Sequence, residues 1–239
     1  MNRFLIIAVS SLVILSSCHF FGEHIKGTGN VITQNRAVSN FAGVDVSGAI
    51  DVYVKGDSAF NARVEIDDNL QQYIILGVEN GVLHIKQANN TNLDATGKIK
   101  VYVSAPVFKS MEASGACNIF SENMLSSNDA VDIDLSGASE ARVELKAPKI
   151  SVGLSGACTL MLKGEAKELF IDGSGSSGIK CFDLVTDQTK IDISGACDAE
   201  VFANVKLDVH VSGASDVKYK GNASVSQDIS GAGSVKKVD

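Results

Sequence analysis

The sequence predicts an all-β protein, a right-handed parallel β-helix whose coils are about 19 residues long. The first observation behind this prediction is a tripeptide, Ser-Gly-Ala or once Ser-Gly-Ser, that recurs through the chain. From the second copy onward its glycines are separated by 22, 19, 19, 20, 18 and 18 residues. A period near twenty is typical of a solenoid, in which each repeat is one turn stacked on the next. The repeat glycines are Gly48, Gly115, Gly137, Gly156, Gly175, Gly195, Gly213 and Gly231.

The second observation is an alternation of apolar and polar residues around each glycine. Positions four and two before the glycine, and four after it, are apolar or small, as at Val152, Leu154 and Leu160, whereas the odd offsets are mostly polar. This period of two is that of a half-buried strand, and a helix would need a period of 3.6. We therefore expect about two short strands per coil, with the glycine at a corner where an inward side chain would not fit.

Residues 1–17 have the pattern of an export signal. Arg3 precedes an apolar run, residues 4–15, that is too short to span a bilayer. The run ends in Leu-Ser-Ser-Cys, which resembles the bacterial lipobox, so we expect cleavage before Cys18 and acylation of this cysteine. An ordinary secretory signal is the alternative. Acylation would anchor the protein without a transmembrane helix. Since residue 19 is His rather than Asp, inner-membrane retention is not signalled, which points to the outer membrane, on its periplasmic or its surface face.

The rest of the chain divides into a tether at residues 18–30 and a single β-helical domain at 31–239. The first two repeat glycines are 67 residues apart, which indicates an insertion at residues 57–104. Its alternating segments and the turn Glu79-Asn80-Gly81 predict a small antiparallel sheet that caps the solenoid. A short helix or irregular strand is expected at residues 70–76, and an exposed polar loop at residues 89–97.

Composition and cysteine spacing exclude several classes of function. The chain has 28 acidic and 21 basic residues, a net charge of −7 that argues against a nucleic-acid partner. Cys117, Cys158 and Cys197 follow repeat glycines by two residues on alternate coils, so about 9.6 Å separates them. Disulfides need Cα atoms within about 7 Å. With Cys181 facing another corner, we interpret all four as buried core residues and expect no metal or cofactor.

The candidate site is a stripe of carboxylates on the outer face of the coils. Aspartates recur three residues before and three residues after the repeat glycine, and carboxylates in register repel unless a cation or base lies between them. The stripe is interpreted either as a site for a divalent cation or a basic ligand, or as solvated charge that keeps the coil soluble. The candidate residues are Asp134, Asp172, Asp192, Asp198 and Asp216.

Several segments, in this order, resemble a known family. They include Gly29-Asn-Val-Ile-Thr, Val44-Asp-Val-Ser-Gly-Ala-Ile and Lys100-Val-Tyr-Val-Ser-Ala-Pro, followed by the Ser-Gly-Ala coils. Over about residues 29–239 the chain is similar to the auto-transporter adhesin head GIN domain family. The resemblance implies an exported β-helical protein of a type common in Bacteroidetes. It implies no catalytic residues.

These observations favour a non-catalytic cell-envelope lipoprotein that serves adhesion or envelope interaction. Its expected partners are the membrane, through Cys18, and a glycan or another extracellular surface ligand. One alternative is a carbohydrate-active enzyme, a polysaccharide lyase or hydrolase, because parallel β-helices often carry such activities. Against this alternative, the connections between the strands of this chain are only a few residues long and leave little material to build the walls of a cleft. Another is an envelope-structural subunit that assembles through exposed coil edges. No catalytic residue is predicted, because serine recurs in every coil and the histidines are scattered.

Overall fold

The computed structural model describes residues 23–239 and confirms the predicted β-solenoid. About 70% of the described residues are in strands and 3% are in a helix, arranged in about seven turns with antiparallel strands near the N-terminus. The predicted export signal, residues 1–17, and the candidate lipidation site Cys18 lie outside the described residues.

The N-terminal region contains nine strands and one short 3-10 helix, Asp68–Tyr73. Its strands are β1 Glu23–Lys26, β2 Val31–Arg36, β3 Gly43–Gly48, β4 Ile50–Gly56, β5 Asn61–Asp67, β6 Ile74–Glu79, β7 Val82–Gln87, β8 Thr91–Asp94 and β9 Ile99–Ala105.

The remaining strands form the body of the solenoid. They are β10 Ser110–Gly115, β11 Asn118–Ser121, β12 Leu125–Ser126, β13 Val131–Gly137, β14 Glu140–Gly156, β15 Thr159–Gly175, β16 Gly178–Cys181, β17 Leu184–Gly195, β18 Asp198–Phe202, β19 Lys206–Gly213, β20 Asp216–Lys220, β21 Ser224–Gly231 and β22 Ser234–Lys237. Pairing between successive coils is parallel throughout this region.

The Ser-Gly-Ala repeats stack in register from coil to coil. Gly48 pairs with Gly115, Gly156 with Gly175, and Gly213 with Gly231. Because the register matches the repeat glycines, each sequence offset becomes one column of side chains that runs parallel to the solenoid axis. Columns at even offsets point inward and build the core. Ile133, Val152 and Ile171, for example, are at most 4% exposed.

The repeat glycines are required by the backbone rather than by the interior. All eight have a positive φ, +107° at Gly156, a conformation that side chains with a Cβ rarely adopt. These glycines are exposed at the corners, so the expectation of an excluded inward side chain was wrong. A Cβ at Gly156 would lie 2.5 Å from the carbonyl oxygen of Gly137 in the preceding coil. The coils stack so closely at this corner that only glycine fits.

The predicted antiparallel cap is present, and it also contributes a coil. Strands β7 and β9 pair in parallel with β3 and β4, and so form the first turn of the solenoid. Beyond them β6 pairs antiparallel with β7, while β5 pairs antiparallel with β9 and β2. The hairpin between β6 and β7 turns at Asn80 and Gly81, both with positive φ, as the Glu-Asn-Gly signal predicts.

Two expectations for the N-terminal region were wrong. Residues 23–26 of the predicted tether form strand β1, which pairs in parallel with β8, a strand inside the predicted loop at 89–97. The buried carboxylate of Asp67 holds this region together by accepting hydrogen bonds from the backbone amides of Gly29 (2.7 Å) and Thr96 (2.9 Å). These pairings between distant segments are invisible to local sequence patterns, because residues 23–36 and 89–97 have no clear periodicity.

Candidate functional site

One outer face of the solenoid carries a column of mostly acidic residues, here called the acidic ladder. It is built by the residue three before each repeat glycine, together with His84 of the first turn, and strand pairing places these residues side by side. In stacking order the acidic ladder is His84, Asp45, Glu112, Asp134, Gly153, Asp172, Asp192, His210 and Asp228. The predicted candidates Asp134, Asp172 and Asp192 therefore lie together, about one strand spacing of 4.8 Å per step apart.

Beside the acidic ladder, nearer the corner, lies a column of hydroxyl groups, here called the serine ladder. Its members are the serines of the eight repeats, Ser47, Ser114, Ser136, Ser155, Ser174, Ser194, Ser212 and Ser230. Because alternate residues of a strand point to the same side, the serines share a face with the carboxylates. The face therefore presents a regular two-dimensional array of hydrogen-bonding groups.

The array is interrupted at Gly153, where the acidic ladder lacks a side chain. Two shallow open grooves, of about 480 and 520 Å³, meet at this glycine. A Cβ here would collide with the carboxylate oxygen Oδ1 of Asp134, which leans over the gap. Asp134 and Asp172 line both grooves, and Ser155 and Ser174 line one of them. The region around these two grooves is the candidate site, here called the Gly153 groove.

The far edge of the Gly153 groove is apolar and basic. Phe170, from strand β15, is 36% exposed, and Lys190 stacks beside it on strand β17. The Lys149 ammonium lies 4.7 Å from the centre of the Phe170 ring. The groove thus offers carboxylates, hydroxyls, an exposed aromatic ring and the amine of Lys190 within a short stretch of surface.

Burial and neighbouring charges raise the pKa values of two carboxyl groups in the acidic ladder, and a histidine contacts a third. The pKa of Glu112 is raised by burial and then by the neighbouring carboxylates Asp45 and Asp134. The pKa of Asp134 is raised by burial and then by Asp132. At the N-terminal end of the ladder, His84 Nδ1 lies 2.9 Å from Asp45 Oδ2, which makes a charge-assisted hydrogen bond when the imidazole is protonated.

The structure separates the other two predicted candidates from this face. Asp198 and Asp216 pair with each other in a second column, beyond the corner, whose members follow the repeat glycine by three residues. Neither lines the Gly153 groove. Asp216 is already engaged, since its Oδ1 accepts a hydrogen bond of 2.5 Å from Ser234. The predicted stripe is thus two separate columns. The residue three before a repeat glycine and the residue three after it lie on different faces, because the glycine forms the corner between them.

No three histidine, cysteine, aspartate or glutamate side chains within residues 23–239 converge in a way that could hold a metal ion. In the acidic ladder, successive carboxylates are neighbours along the axis of the solenoid, so they form a row rather than a convergent cluster. Metal sites in proteins need ligands that converge from several directions.

The cysteines at the repeat corners are packed in the interior. Cys117, Cys158 and Cys197 are free thiols and at most 1% exposed. The amides of Cys158 and Cys197 donate to the hydroxyl groups of buried serines on the following coils, Ser177 at 3.3 Å and Ser215 at 3.0 Å. Burial raises the pKa of Cys117 to about 11 and that of Cys181 to about 12. Cys117 and Cys181 therefore lack the thiolate character that nucleophilic or redox chemistry requires.

Sequence reasoning missed an aromatic column on the next face. Tyr53 stacks on Tyr102, with ring centres 4.8 Å apart, and on Phe120 at 5.4 Å. The guanidinium of Arg63 covers the other face of Tyr102 at 4.3 Å. Tyr53 and Phe120 both lie five residues after a repeat glycine, and this shared offset could have predicted that their rings stack. Because the rings cover one another, the column stabilises the first coils and leaves no broad ring face for a ligand.

The fold and the Gly153 groove define a class of protein, a β-solenoid that exposes a regular polar face with a shallow groove on it. No helix among the described residues is both long and apolar enough to cross a membrane. Residues 40–223 match the family described as "Putative auto-transporter adhesin, head GIN domain", and the chain belongs to this family. No curated relative matches the chain.

Solved structures confirm the fold. A putative adhesin from Bacteroides fragilis is 22% identical with a TM-score of 0.84, covering 90% of this chain and 100% of its own. A putative adhesin from Parabacteroides distasonis is 25% identical with a TM-score of 0.75, covering 90% and 100%. A putative lipid binding protein from Parabacteroides distasonis is 22% identical with a TM-score of 0.74, covering 91% and 100%. Membership in an adhesin family indicates an extracellular or cell-envelope protein.

Proposed function

We propose that this protein is a non-catalytic adhesin module, anchored in the outer membrane through an acylated Cys18, that binds a surface glycan in the Gly153 groove. The observation that carries the proposal is the groove itself, in which carboxylates and hydroxyls surround a gap in an otherwise regular ladder. The family supports the adhesin role, and the lipobox at residues 15–18 supports the anchor.

The chemistry of the groove favours a neutral or amino sugar over an acidic one. Sugar hydroxyls donate hydrogen bonds to carboxylates such as Asp134 and Asp172, and they exchange hydrogen bonds with serine hydroxyls. The exposed ring of Phe170 can pack against the apolar face of a sugar ring. Acidic glycans would be repelled by the acidic ladder. An open, shallow groove on a rigid coil suits weak recognition of a polymer at many points rather than enclosure of a reactive bond.

Binding to a glycan array and to extracellular matrix proteins tests the adhesin role. The wild-type protein is compared with the double variant Asp172→Asn/Asp192→Asn and with a matched control, Asp198→Asn/Asp216→Asn, which makes the same change in the other column. We expect binding to fall at least tenfold in the first variant and to persist in the control. Equal binding by all three proteins, with or without calcium, would move the site away from the groove.

The anchor is tested separately by expression of the full-length chain in a bacterium that processes lipoproteins. Mass spectrometry of the membrane fraction is expected to show a mature chain that begins at Cys18 and carries acyl groups. The Cys18→Ser variant should lose these groups and leave the membrane fraction. Recovery of a non-acylated chain cleaved at another residue would favour an ordinary secretory signal.

A further inference from the structure

The solenoid ends on its N-terminal side in two strands that have a neighbour on one side only. Within the described residues, β2 pairs with β5 alone and β6 with β7 alone. Nine large apolar side chains are strongly exposed in residues 23–239, and four of them lie on these two short strands. They are Val31, Ile32, Ile75 and Val78, between 38% and 48% exposed. This concentration of exposed aliphatic surface marks the end of the solenoid as a contact surface.

Two of these side chains belong to the inward-facing rows of the core. Ile32 pairs with Ile66, and Val78 pairs with Leu83, and both partners are almost completely buried. Ile32 and Val78 are exposed only because no further strand covers them. The side chains of Ile32 and Val78 therefore face the open N-terminal end of the solenoid. Val31 and Ile75 point to the opposite side of the same strands, since successive residues of a strand alternate between faces.

The position of Cys18 places this end beside the predicted anchor. The first strand begins at Glu23, so only four residues separate Cys18 from the folded body. An extended chain advances at most about 3.5 Å per residue, so the span from Cys18 to Glu23 is about 17 Å or less. A tether of residues 18–30, as the sequence predicts, would have allowed more than twice this distance.

We propose that the N-terminal end of the solenoid rests on the lipid bilayer, with Ile32 and Val78 facing the bilayer and Val31 and Ile75 exposed on the flanks of the same strands. This inference rests on the proposed acylation of Cys18. The short tether keeps the local concentration of bilayer surface high, so a weak apolar contact is sufficient. The outer edges of β2 and β6 carry unpaired backbone groups that must stay hydrated, which limits the contact to the depth of the lipid headgroups.

The charges at this end indicate contact through apolar atoms rather than through attraction to anionic lipid. Acidic residues such as Asp68 and Glu79 are exposed there, beside the basic residue Lys26. Resting on this end directs the axis of the solenoid away from the membrane. Five strand spacings separate β6 from Gly153, so the Gly153 groove is held about 24 Å above the contact. The docked orientation thus leaves the groove accessible.

The test uses the full-length protein, acylated by the bacterial host and reconstituted in phosphatidylcholine vesicles. An environment-sensitive fluorophore is attached at Val78→Cys or, as a matched control, at Val205→Cys, which replaces an exposed valine (59%) near the opposite end. The four native cysteines of the solenoid are buried and do not compete for the label. Bromine-bearing phosphatidylcholine then quenches any fluorophore that lies at the membrane surface.

We expect at least twofold quenching at position 78 and none at position 205. The added changes Val31→Ser and Ile32→Ser should reduce the quenching at 78 while acylation, measured by mass spectrometry, is unchanged. Equal quenching at both positions, or none at 78 in an acylated protein, would overturn the proposed docking and leave the anchor intact. A protein that carries no acyl group overturns both.

Discussion

The stacked glycine corner makes a sharp stability prediction at Gly156. In the variant Gly156→Ala, the new Cβ would require an unfavourable φ near +107° and would lie 2.5 Å from the carbonyl oxygen of Gly137. A residue held in such a conformation costs about 1–3 kcal/mol, and overpacking adds about 1–3 kcal/mol. The atoms that the new Cβ would meet all belong to the backbone of Gly137, and the strands that carry Gly137 and Gly156 are held in parallel pairing. The backbone therefore has little room to relax. We expect the free energy of unfolding to fall by about 2–6 kcal/mol.

Urea and thermal unfolding, followed by circular dichroism, measure this loss. For a domain of this size about 1 kcal/mol corresponds to about 2–4 °C, so the melting temperature should fall by roughly 4–24 °C. The control is Gly77→Ala, since a Cβ at Gly77 would meet no atom within 4 Å. That change should be neutral within about 0.5 kcal/mol. A Gly156→Ala protein as stable as the Gly77→Ala protein would refute the close stacking of the corners.

Three further predictions follow from the ladders and the buried groups. The pKa values of Glu112 and Asp134 are raised in the folded state. The protein should therefore gain stability as pH falls through these folded pKa values toward those of the unfolded chain. The variant Glu112→Gln/Asp134→Asn should lose this gain, measured as the free energy of unfolding in an acid titration. Asp67 has a lowered pKa, so its contribution to stability is lost as pH falls through the folded pKa. Asp67→Ala should destabilise the protein at pH 7 by about 1.5–3 kcal/mol, because the amides of Gly29 and Thr96 lose a charged acceptor. A change below about 0.5 kcal/mol in denaturant unfolding would contradict this role. Four cysteines are buried free thiols: Cys117, Cys158, Cys181 and Cys197. A thiol reagent should leave all four unmodified in the native protein and react with all four in denaturant. Fast reaction in the native protein would contradict their burial.

The acidic ladder shows how far the sequence could lead toward the site. The offset from the repeat glycine correctly grouped Asp134, Asp172 and Asp192, because the coils stack in register. The predicted glycine corner separates Asp198 and Asp216 from these residues, but the offsets could not show that neither of them lines the groove. The groove depends on Gly153, which has no side chain at a position where most coils carry a charged one. A pattern of charged residues does not reveal such a gap.

The sequence by itself determined the solenoid, the period of its coils, the inward and outward rows and the hairpin at Asn80 and Gly81. These features arise from interactions between residues that are close in sequence or repeated at a constant interval. Only the tertiary structure decided that β1 pairs with β8 and that the terminal strands expose apolar side chains. It also decided that Gly153 opens a groove. These features depend on contacts between segments that share no repeat, and their free energy comes from packing that no local pattern encodes.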